Sequence, residues 1–131
     1  MEATIHPIAV RVLRDPLDEA SGFRIRDPYV EIVYGPIVGP TALALARLLS
    51  RVADADPYRG TVEELAAAVG VRPSVASRSL NRLAMFGVAR LEADELVLRA
   101  HVLPASEAAL ARLPELSVAY HRLAIRARVA A

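Results

Sequence analysis

The sequence predicts a mainly helical domain with a small β component, and three observations predict it. Apolar residues recur at helical spacing over Thr41 to Ala53 and again after Thr61. A glycine and a proline only three positions apart, Gly70 and Pro73, divide two helical stretches by a tight turn. Short β-branched or leucine-rich runs flank this block on both sides.

In chain order, Ile8 to Leu13 is a β-branched run that Asp15-Pro16 ends, and Asp18 to Gly22 is a polar turn stretch. Tyr29 to Tyr34 follows Asp27-Pro28 as a second extended run and stops at Gly35-Pro36, so the two runs are expected to pair as a hairpin. The segment from Gly35 to Pro40 reads as a rigid corner, and Gly39-Pro40-Thr41 opens a helix. Leu45, Leu48, Leu49 and Val52 give that helix its buried face, and Asp54 to Gly60 is its exit loop.

Thr61-Val62-Glu63-Glu64 is a capping box, with the Thr61 hydroxyl set to accept from the Glu64 N–H and the Glu64 carboxylate set to reach back. Leu65, Ala66 and Val69 supply the apolar side of this helix, and Gly70 fits a left-handed exit. The next helix starts at Pro73. It places Ala76, Leu80, Leu83 and Ala84 on one side and Ser74, Ser77, Arg78, Asn81, Arg82 and Met85 on the other, and Gly87 ends it. Val88 to Leu91 and Leu96 to Leu98, joined by Glu92-Ala93-Asp94-Glu95, form a hairpin. Ala105 to Arg112 and Glu115 to Val129 are helical, the latter with Leu116, Tyr120, Leu123 and Ala127 near heptad spacing.

Composition narrows the function. At 131 residues the chain is long enough for one ordinary core. A 54% hydrophobic content leaves apolar surface for a subunit interface. No apolar run reaches membrane-spanning length and no secretion signal is present, so a soluble cytoplasmic protein is expected. The absence of cysteine removes disulfides, zinc fingers and thiol enzymes. All 16 basic residues are arginine, which with abundant alanine fits a GC-rich genome of bacterial or phage kind. His6, His101 and His121 lie far apart and show no metal-ligand spacing. There is no phosphate-cradling glycine loop and no nucleophile elbow. No enzyme activity, metal or cofactor is expected.

The stretch from Glu64 to Leu83, with Ala66, Gly70, Leu80 and Leu83 at its packing positions, resembles the helix-turn-helix of winged-helix transcriptional regulators of the MarR and GntR kind. The resemblance covers about Thr41 to Arg99. It implies a winged helix-turn-helix at residues 39–100, to which the strand and helix patterns outside the resemblance add a β-hairpin extension at 1–38 and a helical arm at 104–131 within a single domain. It also implies a recognition helix from Pro73 to Phe86, a wing from Val88 to Leu98, and dimers that bind two-fold related half-sites; the apolar stripe of the C-terminal arm is expected to make that pairing, the alternative being packing on its own domain.

Charge agrees with that reading. Between Leu65 and Leu91 there are four arginines, Arg72, Arg78, Arg82 and Arg90, and no carboxylate. Phosphate neutralisation needs that sign. Arg78, Asn81 and Arg82 can make bidentate contacts to guanine or adenine edges, whereas Ser74 and Ser77 suit phosphate oxygens, and Arg72 and Arg90 flanking phosphates. The wing tip is acidic and is not expected to enter a minor groove, which leaves Arg90 and Arg99 at its base. Arg122, Arg126 and Arg128 offer a further phosphate contact. The expected function is duplex-DNA binding as a transcription regulator. Two alternatives stay open: a winged-helix module that binds a partner protein instead, and a DNA-binding component of a replication or phage-control assembly.

Overall fold

The computed structural model describes residues 6–93 and 95–130; Asp94, at the expected wing tip, lies outside the described residues. Strand β1 (Pro7–Leu13) sits inside the larger sheet. It runs antiparallel to β3 (Tyr58–Thr61), with Val10 opposite Tyr58, and parallel to β5 (Glu95–Arg99), with Val10 opposite Leu96. Strand β4 (Ala89–Glu92) pairs antiparallel with β5, giving the order β3-β1-β5-β4. A second, two-stranded sheet joins β2 (Phe23–Arg24) to β6 (His101–Val102).

Helices predominate over these strands, so the architecture is mixed α/β. They are α1 (Pro16–Ser21), α2 (Gly35–Val38), α3 (Pro40–Val52), α4 (Val62–Val69), α5 (Pro73–Met85), α6 (Glu107–Leu110) and α7 (Glu115–Ala130). Val10, Leu45, Leu49, Leu65, Leu83, Leu96 and Leu98 are fully buried and join the sheet to α3, α4 and α5 in one core.

The expected N-terminal hairpin does not form. Residues 28–38 are helical, with a π-helical turn at Val30–Tyr34 leading into α2. The two Asp-Pro pairs, expected to bound strands, open helices. The Asp15 carboxylate accepts from the Leu17 N–H at 2.8 Å, and the Asp27 carboxylate accepts from the Tyr29 N–H at 2.8 Å. Each aspartate is therefore an N-cap and each proline the first helical residue. Burial follows the helix: Tyr29, Val30, Val33 and Tyr34 are inside, whereas a strand would bury alternate residues. The wide turn has a local cause. Pro36 lacks the N–H that would bond the carbonyl four residues back and its ring crowds that carbonyl, and the Gly35 N–H bonds Val30 O instead.

The polar stretch Asp18 to Gly22 is likewise mostly α1, and the exit loop after α3 contains β3. Neither has a periodic signal of its own. The partner of β3 is β1, some fifty residues earlier, so its strand character comes from tertiary pairing. The helix after Thr41, the capped helix after Thr61, the helix from Pro73, the hairpin at 89–99 and the C-terminal helix form where expected.

Candidate nucleic-acid interface

Helices α4 and α5 are joined by a three-residue turn whose geometry the sequence dictates. Thr61 Oγ1 accepts from the Glu64 N–H at 3.0 Å, the first half of the expected capping box. The second half is not made, because the Glu64 carboxylate receives the Tyr58 hydroxyl from β3. Gly70 adopts φ +76°, the Val71 N–H donates to Ala66 O at 2.9 Å, and the Gly70 N–H donates to Ala67 O at 3.2 Å. This is a Schellman ending, which a residue with a Cβ adopts only at a cost. Helix α5 ends in the same way: Gly87 has φ +77° and the Val88 N–H donates to Leu83 O at 2.9 Å. At its start the backbone carbonyl of Arg72 accepts from the Val75 and Ala76 N–H groups, with no side-chain cap.

Helix α5 buries Ala76, Ser79, Leu80 and Leu83 against α3, α4 and β4. Its other side exposes Ser74, Ser77, Arg78, Asn81 and Met85, with Arg72 exposed just ahead of it. None of the described ion pairs uses Arg72 or Arg78. A shallow groove of about 390 Å³ runs beside Arg78, Asn81 and Met85. The structure thus brings together Arg72, Ser74, Ser77, Arg78 and Asn81 on one edge.

Four other arginines stand differently from expectation. Arg82 is exposed and lines the same groove, but its guanidinium is engaged: its Nε donates to Val38 O at 2.9 Å and its Nη2 to Ile37 O at 2.6 Å, and it lies 5.3 Å from the Phe86 ring centre. Arg90 is paired with Glu92 at 2.6 Å. Arg99 is held at 2.8 Å by the buried carboxylate of Asp18. Arg128, exposed as a residue, lies 3.8 Å over the Phe23 ring and donates to Gly22 O. Apart from Glu92 and Phe86, which are near neighbours of Arg90 and Arg82, these partners come from distant chain segments, and no local signal in the sequence announces them.

The C-terminal helix has two faces. Ser117 and His121 are buried, and the Tyr29 hydroxyl lies 2.6 Å from His121 Nδ1 while accepting from the Ala105 N–H at 3.0 Å. Burial holds the Tyr29 hydroxyl above the ordinary tyrosine range. Leu116 and Leu123, from the heptad-spaced set, face solvent instead, with Ala127 beside them and Tyr120 half-buried. His6 pairs with Glu63 at 2.8 Å. Among the described residues no three His, Asp or Glu side chains are grouped to hold a metal ion, and no helix is long and apolar enough to cross a membrane.

No protein-family model matches the chain, and no curated protein matches it. Among solved structures, it is similar to the primosome protein DnaB, residues 1–300, from Geobacillus stearothermophilus. The TM-score is 0.50 at 18% sequence identity, over 93% of this chain and 47% of that one. The likeness is one of fold, and the chain spans about half the length of that structure.

Proposed function

We propose that this chain is a winged helix-turn-helix protein that binds duplex DNA, with α5 in the major groove and the β4–β5 hairpin as its wing. The observation that carries the reading is the exposed edge Arg72, Ser74, Ser77, Arg78 and Asn81 within a stretch, Leu65 to Leu91, that contains no carboxylate. In this reading Arg78 and Asn81 contact base edges, and Arg72, Ser74 and Ser77 contact phosphates. Arg90 reaches a phosphate only by leaving Glu92. The protein is cytoplasmic and non-enzymatic, and it pairs with a second copy through Leu116, Leu123 and Ala127 of α7. The solved structure it is similar to is a primosome protein. That favours a component of a DNA-handling assembly, such as replication or phage control, over a stand-alone transcription regulator.

The test is equilibrium binding to a random duplex pool across a salt series, with the mass of the protein measured by sedimentation. Arg72→Ala with Arg78→Ala should weaken binding and lower the slope of log K against log salt by about 0.9, the share of the one phosphate contact that Arg72 makes, while the loss of Arg78 costs base discrimination. Unchanged binding in the double variant removes this edge from consideration. One observation favours a second reading, a surface given to a partner protein: Met85 is 71% exposed, with Phe86 and Leu91 also exposed nearby in sequence. Retention of no duplex at low salt selects that reading.

A further inference from the structure

The geometry points to Arg82 as a positioning residue, one that fixes the roll of α5 so that Arg78 and Asn81 meet base edges; this role rests on the DNA-binding reading above. The Nε and Nη2 atoms form one edge of the planar guanidinium, and that edge grips two successive carbonyls, Val38 O at 2.9 Å and Ile37 O at 2.6 Å. Those carbonyls end the helical segment 28–38, where intrahelical donors run out and the helix dipole is negative. A cation there is a charge-assisted cap, supplied by a different helix. The Phe86 ring, 5.3 Å from the guanidinium carbon, covers the group from the α5 side.

The anchor is itself held. The π-helical turn ahead of α2 packs on α7, and the Tyr29–His121 bond ties the same two segments together. The carbonyls that Arg82 grips are therefore part of the scaffold and not of a mobile loop. Arg82 follows Asn81 directly and lies one helical turn after Arg78. A roll of α5 by about 20°, at the roughly 6 Å outer radius of a helix, moves a side-chain tip by about 2 Å. Bidentate base contacts do not survive such a displacement, whereas phosphate contacts by long, exposed arginines readjust. Loss of the anchor should therefore cost discrimination between sequences more than it costs general affinity.

The experiment uses the full chain, a duplex selected by the wild-type protein from a random pool, and a scrambled duplex of equal length. Arg82→Ala should lower the affinity ratio of selected over scrambled duplex at least about 10-fold. The slope of log K against log salt should stay unchanged, because no phosphate contact is lost. Arg82→Lys keeps the charge without the planar fork, and should lose the ratio as well. Amide hydrogen exchange over α5, without DNA, should quicken in both variants. A slope reduced by about 0.9 with the ratio retained in Arg82→Ala, and restored by Arg82→Lys, makes Arg82 a phosphate contact and overturns the proposal. An unchanged ratio with unchanged exchange also overturns it. If the wild-type protein retains no duplex, the DNA reading falls and this role with it; if the wild type binds and only the ratio test fails, this role alone falls.

Discussion

Replacing Tyr29 with Phe removes one oxygen from a fully buried ring and leaves its packing in place. The ring is fully buried, stacked on Phe23 with centroids 3.8 Å apart, and edge-on to Tyr34 at 6.4 Å. Phenylalanine keeps both contacts. What it loses is the oxygen that accepts from the Ala105 N–H at 3.0 Å and bonds His121 Nδ1 at 2.6 Å. Each partner is then left without its bond, at a cost of about 1–3 kcal/mol per buried group. Ala105 is only part-buried and takes the lower end, so the sum is about 2–4 kcal/mol. A chain of 131 residues, at about 2.1 cal/mol/K per residue, loses roughly 3–4 °C of Tm per kcal/mol. The expected drop is thus about 7–14 °C in calorimetry at neutral pH. A double-mutant cycle with His121→Ala should show coupling of about 1 kcal/mol or more. A drop below about 2 °C, or no coupling, refutes the reasoning, because the hydroxyl would then be doing nothing that solvent does not do.

Alkali should find the same region. Burial, with Tyr29 beside it, pushes the Tyr34 hydroxyl up to about 12. A folded pKa raised above the unfolded value of about 10 gives stability that is complete below pH 10 and is lost as pH rises toward 12. At 1.36 kcal/mol per unit, the loss is about 2–3 kcal/mol. Urea unfolding between pH 9 and 12 measures it. Tyr34→Phe, which also removes the bond to Leu103 O at 2.6 Å, should be less stable at pH 8 but flatter across that range; an equal slope counts against this account. Gly70→Ala should cost about 1–2 kcal/mol, since φ is +76° and no atom lies within 4 Å of an added Cβ, so the penalty is purely conformational. Gly70→Asn should cost less because asparagine tolerates the left-handed region, and equal losses in thermal unfolding contradict a backbone origin.

The elements legible in the sequence are those fixed by neighbours in the chain. Thr61, Gly70, Pro73 and Gly87 set the starts and ends of α4 and α5 through contacts within a few residues; the Thr61 half of the capping box and the left-handed exit at Gly70 form as read, and Gly87 ends α5. Asp15-Pro16 and Asp27-Pro28 carry an equally local signal with two meanings, strand end or helix start. The β-branched content of Val30, Ile32 and Val33 favours the wrong one. Burial against α7 decides for the helix, and the π-helical turn accommodates Pro36. Strand β3 and the place of β1 between β3 and β5 depend on pairing across long separations, which no window of sequence contains. The same holds for the arginines. Arg82, Arg99 and Arg128 find partners 44, 81 and 106 residues away, so residue type and helix face announce the charge but not what holds it.

That division also separates the two ends of α5. Its C-terminal half is tethered to the core by Leu80 and Leu83 and to α2 by the Arg82 fork, and Val88 leads at once into the sheet. Its first turn has no side-chain cap, and Arg72, Ser74 and Ser77 there are exposed. Ala76 holds the first turn to the core on its inner side, and Arg72, Ser74 and Ser77 are what that turn presents to a partner. That end also carries the positive pole of the helix dipole together with Arg72 and Arg78, so an anionic partner gains most there. The acidic turn between β4 and β5 acts in the opposite sense, and the Arg90–Glu92 pair draws one cation away from any phosphate. Contact with DNA, as proposed above, is therefore concentrated on α5 from Arg72 to Asn81. Glu92→Gln should strengthen duplex binding by freeing Arg90, and a binding constant unchanged at low salt would place the hairpin outside the interface.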